Sequence, residues 1–205
     1  VAIGYQALDA EDDGDYNTAV GYQALTAQTG VSGTVANTAV GHKAGLAITT
    51  GIRNTVLGSF ALSTATDVDR TVIIGQGACE NGNLTADADG TVAIGYASLI
   101  SLTSGIGNVA IGYQALDAAA TSDYNTAVGY QALGAVNADG TQGNTAVGYQ
   151  AGDSVTSGTK NTILGWGSTA NSGNAINQTC IGAGVEGVAD YSVTLGDADV
   201  TRVYM

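Results

Sequence analysis

Proline is absent from the 205 residues, and large hydrophobic rings are scarce, since the chain has only one Phe and one Trp. A large aromatic core is therefore excluded. Glycine, by contrast, occurs 31 times without the every-third-residue period of collagen, and 44% of the residues are hydrophobic. Frequent glycine among small aliphatic residues is typical of short strands that are separated by tight turns.

Basic residues are also few, because 5 Lys and Arg stand against 18 Asp and Glu, for a formal net charge of −13. So few cations cannot neutralise many phosphates, and we expect no binding to nucleic acid or to anionic membranes. No apolar run approaches the roughly eighteen residues that a membrane helix needs, so we expect no membrane insertion. Two cysteines, Cys79 and Cys180, are too few for a disulfide scaffold.

A glycine that follows an aliphatic residue returns along the whole chain at intervals of 17, 20, 17, 17, 20, 17, 17, 19, 17, 17 and 14 residues. These corner glycines are Gly4, Gly21, Gly41, Gly58, Gly75, Gly95, Gly112, Gly129, Gly148, Gly165, Gly182 and Gly196. A constant core with inserts of variable length predicts coils of one kind joined by loops. The sequence thus predicts an all-β fold, a single-stranded β-solenoid of about eleven coils of mostly 17 residues.

The positions before the glycine repeat as strictly as the glycine itself. The preceding residue is Val, Ile or Leu in all twelve copies, and we expect it to be buried. Three before the glycine stands Thr or Val, on the same face of a strand, and the small residue between them leads us to expect close packing on both faces. The glycine suits a corner with positive φ or with no space for a Cβ.

Asparagine stands four residues before the glycine in seven coils. There its amide can satisfy backbone groups at the corner and stack on its copies above and below. The seven are Asn17, Asn37, Asn54, Asn108, Asn125, Asn144 and Asn161.

After the glycine most coils continue as Tyr-Gln-Ala-Leu, and we predict a second short strand there. Its aromatic residues form a ladder on one face, with His42 and Trp166 replacing tyrosine in two coils. The tyrosines are Tyr5, Tyr22, Tyr96, Tyr113, Tyr130 and Tyr149. Such a ladder could stack on sugar rings, but we favour a structural role, in which it packs within an oligomer or braces the next coil. Eleven coils about 4.8 Å apart make a rod of roughly 50 Å.

A longer duplication overlies the coils. The sequence VAIGYQALDAEDDGDYNTAVGYQAL at 1–25 returns as VAIGYQALDAAATSDYNTAVGYQAL at 109–133, and the match continues, so that 1–108 is duplicated in 109–195. This indicates growth by addition of coils, and we expect one repetitive domain over 1–205. Because Val1 lies inside a repeat, we also expect the chain to be part of a longer one.

The motif N-T-A-V-G, with a small residue three positions beyond the glycine, resembles the left-handed β-roll repeat of the YadA-like heads of trimeric autotransporter adhesins. The variant NTAVGYQAL, in coils longer than those of the adhesins, is similar to repeats of bacteriophage tail fibres. The stretch from Tyr191 to Met205 is similar to the one that precedes the self-cleaving intramolecular chaperone of many tail fibres. The resemblance implies a left-handed roll and a parallel homotrimer, with one face of each roll on the threefold axis.

By this resemblance we expect a structural and adhesive shaft segment of a phage tail fibre, extracellular on the virion. Its loops would meet a bacterial surface receptor, a glycan or an outer-membrane component. The head of a bacterial adhesin is the alternative, which a flanking coiled-coil stalk and membrane anchor would identify. An ice-binding solenoid is less favoured, because its threonine array is interrupted by Val72, Val92 and Val109. That array is Thr18, Thr38, Thr55, Thr126, Thr145, Thr162 and Thr179.

Patterns for catalysis and metal binding are weak. His42 is the only histidine and occupies a tyrosine position of the repeat, so a Ser-His-Asp or Cys-His site has no other histidine to use. Two cysteines and one histidine at unrelated coil positions give no zinc spacing. The acidic stretch 9–15 lacks the bidentate Glu of a calcium loop, and its copy at 117–123 has lost most carboxylates. We expect no enzymatic activity, no cofactor and no metal.

Four further expectations follow. A narrow roll of small residues buries too little surface to stand alone, which favours the homotrimer. The two cysteines, six coils or about 29 Å apart, should not form an intrachain disulfide. Receptor contact should concentrate in three long loops, 26–36, 80–90 and 134–143, because loops tolerate variation. The solenoid should end near Met205, and the gene should continue into a trimer-forming chaperone.

Overall fold

The computed structural model describes residues 1–29 and 33–200, and within these the backbone forms strands of two or three residues and a single 3-10 helix at Ala86–Ala88. The strands are β1 (Ala2–Ile3), β2 (Gly14–Asp15), β3 (Thr18–Val20), β4 (Gly33–Thr34), β5 (Thr38–Val40), β6 (Thr55–Leu57), β7 (Val72–Ile74), β8 (Val92–Ile94), β9 (Val109–Ile111), β10 (Ser122–Asp123), β11 (Thr126–Val128), β12 (Gly140–Thr141), β13 (Thr145–Val147), β14 (Thr162–Leu164), β15 (Thr179–Ile181) and β16 (Val193–Leu195).

Twelve strands form one sheet in the order β1-β3-β5-β6-β7-β8-β9-β11-β13-β14-β15-β16. Every pair is parallel and joins equivalent repeat positions, as where Ala127 pairs with Ala146. A parallel sheet whose order follows the chain requires one full turn of backbone between successive strands. The predicted β-solenoid of about eleven coils is therefore confirmed.

Two smaller parallel pairs lie outside this sheet, β2 with β4 and β10 with β12. Gly14 pairs with Gly33 in the first, and Ser122 pairs with Gly140 in the second. The two pairs occupy corresponding places in the two halves of the duplication. Parts of the long loops 26–36 and 134–143 are thus held against the preceding coil.

The interior of the coil is narrow. The middle residue of each sheet strand points inward, and it is usually alanine, as at the fully buried Ala127. The opposite wall is made by the leucine of Tyr-Gln-Ala-Leu, as at the buried Leu133. Where glycine replaces this leucine, at Gly152, the side chains of Leu133 and Ile163 fill the space that its Cβ would need. Large and small residues therefore compensate between neighbouring coils.

The aliphatic residue before each corner glycine is not buried within the chain, so that prediction was wrong. Side chains alternate across a strand, and because the middle residue points inward, both of its neighbours point outward. Ile111, Val147 and Ile181 are 36–40% exposed. Within the single chain, therefore, only the inward face of the strand is closely packed.

The Tyr-Gln-Ala-Leu segment is a series of tight turns, so the predicted second strand is also wrong. In the coil that begins at Gly112, Gln114 and Leu116 have φ values of 50° and 52°. This left-handed conformation costs a non-glycine residue about 1–2 kcal/mol. Neighbouring coils stabilise it, because the Gln114 N–H donates to the carbonyl of Tyr96 and the Leu116 N–H donates to the carbonyl of Ala132.

Candidate interaction surfaces

The corner glycines stack directly on one another. From Gly4 to Gly182 their φ lies between 133° and 142°, a region that residues with a Cβ avoid. A Cβ at Gly112 would also collide with the carbonyl of Gly129 in the next coil. Gly196 departs from the row, with a φ of 76°. Both local reasons for glycine, the positive φ and the lack of space, therefore apply along most of the row.

The predicted asparagines form two buried runs at the corner before the sheet strand, Asn17, Asn37 and Asn54 in the first and Asn108, Asn125, Asn144 and Asn161 in the second, with Thr71 and Thr91 at this position in the two coils between them. The Asn144 Oδ1 accepts hydrogen bonds from the backbone N–H of Asn161 at 3.0 Å and from its Nδ2 at 3.0 Å. The Asn144 Nδ2 donates to the carbonyl of Gly158 at 2.7 Å. Asn37, Asn54, Asn108 and Asn161 donate in the same way to a carbonyl fourteen residues ahead. Within each run the ladder joins one coil to the next through side chain and backbone together.

A further left-handed position that the sequence analysis did not predict lies immediately before the asparagine position. There φ is between 52° and 76° in every coil from Tyr16 to Tyr191. Its occupants are Tyr16, Ala36, Arg53, Arg70, Gly90, Gly107, Tyr124, Gly143, Lys160, Asn177 and Tyr191. The three glycines at this position are the only sequence signal for a left-handed backbone there, because tyrosine and basic residues occupy the same position in other coils.

The outward residues of the twelve-stranded sheet form a surface that we call the outer sheet face. One row is the invariant aliphatic position, Ile3, Val20, Val40, Leu57, Ile74, Ile94, Ile111, Val128, Val147, Leu164, Ile181 and Leu195. The parallel row is Val1, Thr18, Thr38, Thr55, Val72, Val92, Val109, Thr126, Thr145, Thr162, Thr179 and Val193. All these side chains are partly or largely exposed, and none is charged. With strands about 4.8 Å apart the face is roughly 50 Å long.

The predicted aromatic ladder is present in two runs. The first joins Tyr5, Tyr22 and His42, with ring centroids 5.3 Å apart at each step. The second is longer and joins Tyr96, Tyr113, Tyr130, Tyr149 and Trp166 at 4.9–5.8 Å, with interplanar angles of 5–14°. The rings of this second run are 41–64% exposed. They therefore brace neighbouring coils, and because stacking covers the faces of the inner rings, Tyr113, Tyr130 and Tyr149 present their edges to the exterior.

A depression of about 290 Å³ lies across the three coils that begin at Gly112, Gly129 and Gly148. We call it the notch, and its lining is Asp117, Gln131, Gly134, Ala135, Gln150 and Asp153. Burial raises the pKa of the Asp117 carboxyl above its ordinary value, although the backbone N–H groups of Asp117 and Ala118 donate to it and oppose the shift. The notch is thus a polar recess with two carboxylates and two amides.

The other candidate reactive groups are the two cysteines and His42. Cys79 and Cys180 are free and buried, and burial raises the pKa of both thiols, which disfavours the reactive thiolate. His42 stacks on Tyr22 as a member of the first aromatic run and makes an edge-to-face contact with Phe60.

The acidic stretch 9–15 forms a hydrogen-bonded turn. The Glu11 carboxylate accepts hydrogen bonds from the backbone N–H groups of Asp13 and Gly14 and from the Nδ2 of Asn17. No group of three or more metal-ligating side chains occurs among residues 1–29 and 33–200. In the same ranges no helix is long and apolar enough to cross a membrane.

The three long loops occur at every third coil. Because equivalent positions of neighbouring coils are in register, inserts at the same repeat position lie along one edge of the rod. Residues 30–32 of the loop 26–36 lie outside the described residues, as do residues 201–205, on which the expected end of the solenoid falls. The loop 80–90 contains the 3-10 helix, and the loop 134–143 contributes Gly134 and Ala135 to the notch.

Comparison of the chain with models of protein families, with curated proteins and with solved structures gave no match.

Proposed function

We propose that this chain is a shaft segment of a trimeric bacteriophage tail fibre on the outside of the virion. Its role is mechanical and adhesive, without catalysis: a stiff rod that presents loops to a receptor on the bacterial surface. The observation that supports this most is the outer sheet face, whose invariant aliphatic row is exposed in the isolated chain.

An uncharged face about 50 Å long is unusual on a soluble monomer, because contiguous apolar patches of this kind mark sites of association. The chain carries a net charge of −13, yet none of the 24 positions of this face is charged. Burial of this face in an assembly explains why Val, Ile or Leu occupies every copy of a position that the fold itself leaves exposed.

Further copies of the same chain are the partner that suits this face best. Its side chains recur at the coil spacing of about 4.8 Å, and only another parallel coil of the same rise offers matching intervals along the whole length. Three sheets around an axis bury the aliphatic rows and leave the acidic loops outside. The number three comes from the resemblance to tail fibres and trimeric adhesins.

The test is the mass of the protein in solution at micromolar concentration by light scattering. We expect three times the chain mass of 20.2 kDa. Val147→Asp should dissociate the trimer, because it places a charge in the centre of the proposed interface. Val188→Asp is the matched control, since Val188 is 73% exposed and lies outside the sheet. A monomeric parent protein, or equal effects of the two variants, would contradict the proposal.

Receptor contact is assigned to the three long loops, because the coil core is fixed by packing while the loops differ in length and chemistry. Adsorption of fluorescently labelled protein to bacterial cells measures it. Shortening all three loops to eight residues should abolish adsorption and leave the trimer intact. Unchanged adsorption would assign this segment to the shaft alone. The adhesin head shares all these features, and the flanking reading frame distinguishes it.

Ice binding is a second candidate because the threonine row points outward on a flat sheet. Thr126, Thr145, Thr162 and Thr179 are consecutive in this row. Ice binding requires the face to stay uncovered, so it demands a monomer and a thermal hysteresis of freezing. A trimer without thermal hysteresis excludes it.

A further inference from the structure

The notch exists because one side chain is missing from a row of the solenoid. Five residues after the corner glycine stand Asp117, Gly134 and Asp153 in three successive coils. Gly134 has no side chain, so a gap opens between the two aspartates, which are about 9.6 Å apart at two coil spacings. The Gly134 N–H donates to the carbonyl of Gln131, and this turn brings the glutamine row alongside the gap.

The groups around this gap suit hydroxyl groups. Ionised Asp117 and Asp153 only accept hydrogen bonds, whereas a glutamine amide both donates and accepts. The Gln150 Nε2 donates to the Oε1 of Gln131 at 3.2 Å, and each amide retains a second N–H group. Donors and acceptors side by side match sugar hydroxyls, which take both roles.

The aromatic row precedes the glutamine row by one residue in each coil. Gln131 and Gln150 directly follow Tyr130 and Tyr149, whose rings are stacked 5.2 Å apart and partly exposed. Tyr130 is stacked between Tyr113 and Tyr149, and Tyr149 is stacked between Tyr130 and Trp166, so these two rings present only their edges to a ligand. Hydrogen bonding in the notch therefore carries the recognition of a ligand.

We propose that the notch binds one sugar ring of a bacterial surface glycan through hydrogen bonds to its two aspartates and two glutamines. The sugar is uncharged or carries an amino group, because two carboxylates and no basic residue line the notch. Acidic sugars are excluded by repulsion. The inference depends on the proposed function only for the source of the glycan, since it concerns binding by the isolated protein.

The duplication supplies an internal control. The first half of the chain has Thr26 at the place of Gly134 and Leu46 at the place of Asp153. The Thr26 hydroxyl donates to the carbonyl of Gln6 at 2.9 Å, so threonine is compatible with this position of the coil. A Cβ at Gly134 would lie 3.1 Å from the Asp117 Oδ1, the mobile end of a side chain that can shift. Gly134→Thr therefore closes the notch and leaves the fold intact.

The experiment is saturation-transfer NMR of the full chain with methyl glycosides of a neutral hexose, an amino hexose and a uronic acid. We expect transfer to the first two and none to the third. Gly134→Thr should reduce transfer roughly tenfold, which corresponds to the loss of one or two hydrogen bonds. Asp9→Asn, an exposed carboxylate at the same repeat position of the first coil, should change nothing.

Absence of transfer from every glycoside, or equal transfer in Gly134→Thr, would overturn the inference. A Ca²⁺-dependent shift of the Asp117 and Asp153 resonances without glycoside binding would also overturn it, in favour of a cation site. The proposed function fails separately: a monomer that still binds glycosides at the notch leaves this inference standing. Conversely, the protein could be a trimer that binds no glycoside and whose adsorption to cells is unaffected by Gly134→Thr. That result would contradict the inference about the notch and leave the proposed function standing.

Discussion

Replacement of Asn144 by alanine tests the asparagine ladder, the most regular polar feature of the interior. Asn144 is fully buried, and its amide joins its own coil to the next one. Removal of the amide leaves the Asn161 backbone N–H and the Gly158 carbonyl without these hydrogen bonds. The Asn161 Nδ2 loses one acceptor but still donates to the carbonyl of Ala175 at 2.8 Å.

The expected cost follows from these two groups. A buried donor or acceptor that loses its partner costs about 1–3 kcal/mol, so Asn144→Ala should lower the free energy of unfolding by about 2–6 kcal/mol per chain. Because stability in a solenoid is the sum of coil terms and terms between neighbouring coils, the loss should be concentrated at the contacts on either side of Asn144.

Guanidinium unfolding monitored by tyrosine fluorescence measures the effect, and unfolding rates at fixed temperature replace it if the transition is irreversible. The control is Asn137→Ala, which makes the same chemical change at an exposed place in the loop 134–143. We expect that variant to stay within about 0.5 kcal/mol of the parent protein. If Asn144→Ala matched it, the ladder would be a consequence of the fold and not a cause of its stability.

Three further substitutions test the backbone and the charge. Gly112→Ala should cost more than about 3 kcal/mol, because its φ of 139° and the Gly129 carbonyl both oppose a Cβ; near-normal thermal stability would refute this. Ala36→Gly should raise the melting temperature slightly, because Ala36 has a left-handed φ of 56° and the strain that glycine removes there exceeds the entropic cost of glycine. Ala19→Gly is the control in a strand, and it should lower the melting temperature. Asp117→Asn should stabilise the protein at pH 7 and have no effect at pH 3. Because burial raises the pKa of Asp117 in the folded chain, the free energy of unfolding falls as the pH rises through that pKa. A larger effect of Asp117→Asn at pH 3 than at pH 7 would contradict this reasoning.

The solenoid was predictable because one glycine recurs at nearly constant spacing. A position that returns every 17 residues with inserts in between fits stacked coils and few other folds. The asparagine positions were predictable for the same reason, since an amide four residues before each glycine can pair with its own copies. Repetition supplied the topology without any knowledge of the local backbone.

The direction of the strand residues was not predictable from this pattern. Thr-Ala-Val places alanine on one face and the two larger residues on the other, and a period of two does not say which face is inside. The usual preference for large aliphatic residues in a core suggested the wrong face. The coil is so narrow that alanine fits inside, as at Ala127, while Val128 faces outward.

The turns and the notch required the structure itself. Local propensity disfavours a positive φ at residues such as Gln114 and Leu116, and only the hydrogen bonds between coils stabilise it. The notch depends on the same turns, because they bring residues two and five places after the corner glycine together. In the sequence Gly134 is one more glycine in a glycine-rich chain.

The repeated sequence determines how one chain winds into coils, but it determines the relative register of three chains less strictly. Within a chain, covalent connection fixes which coil follows which, and the inserts at every third coil merely enlarge their loops. Between chains, a shift of one chain by one coil still pairs its aliphatic row with the aliphatic rows of the other chains. Such a shift leaves only about one coil in eleven without a partner at each end. Near-degenerate pairings of this kind slow the search for the correct assembly. Three rods of this sequence would therefore gain from a separate segment that aligns the chains first, which is the role expected of a downstream trimer-forming chaperone.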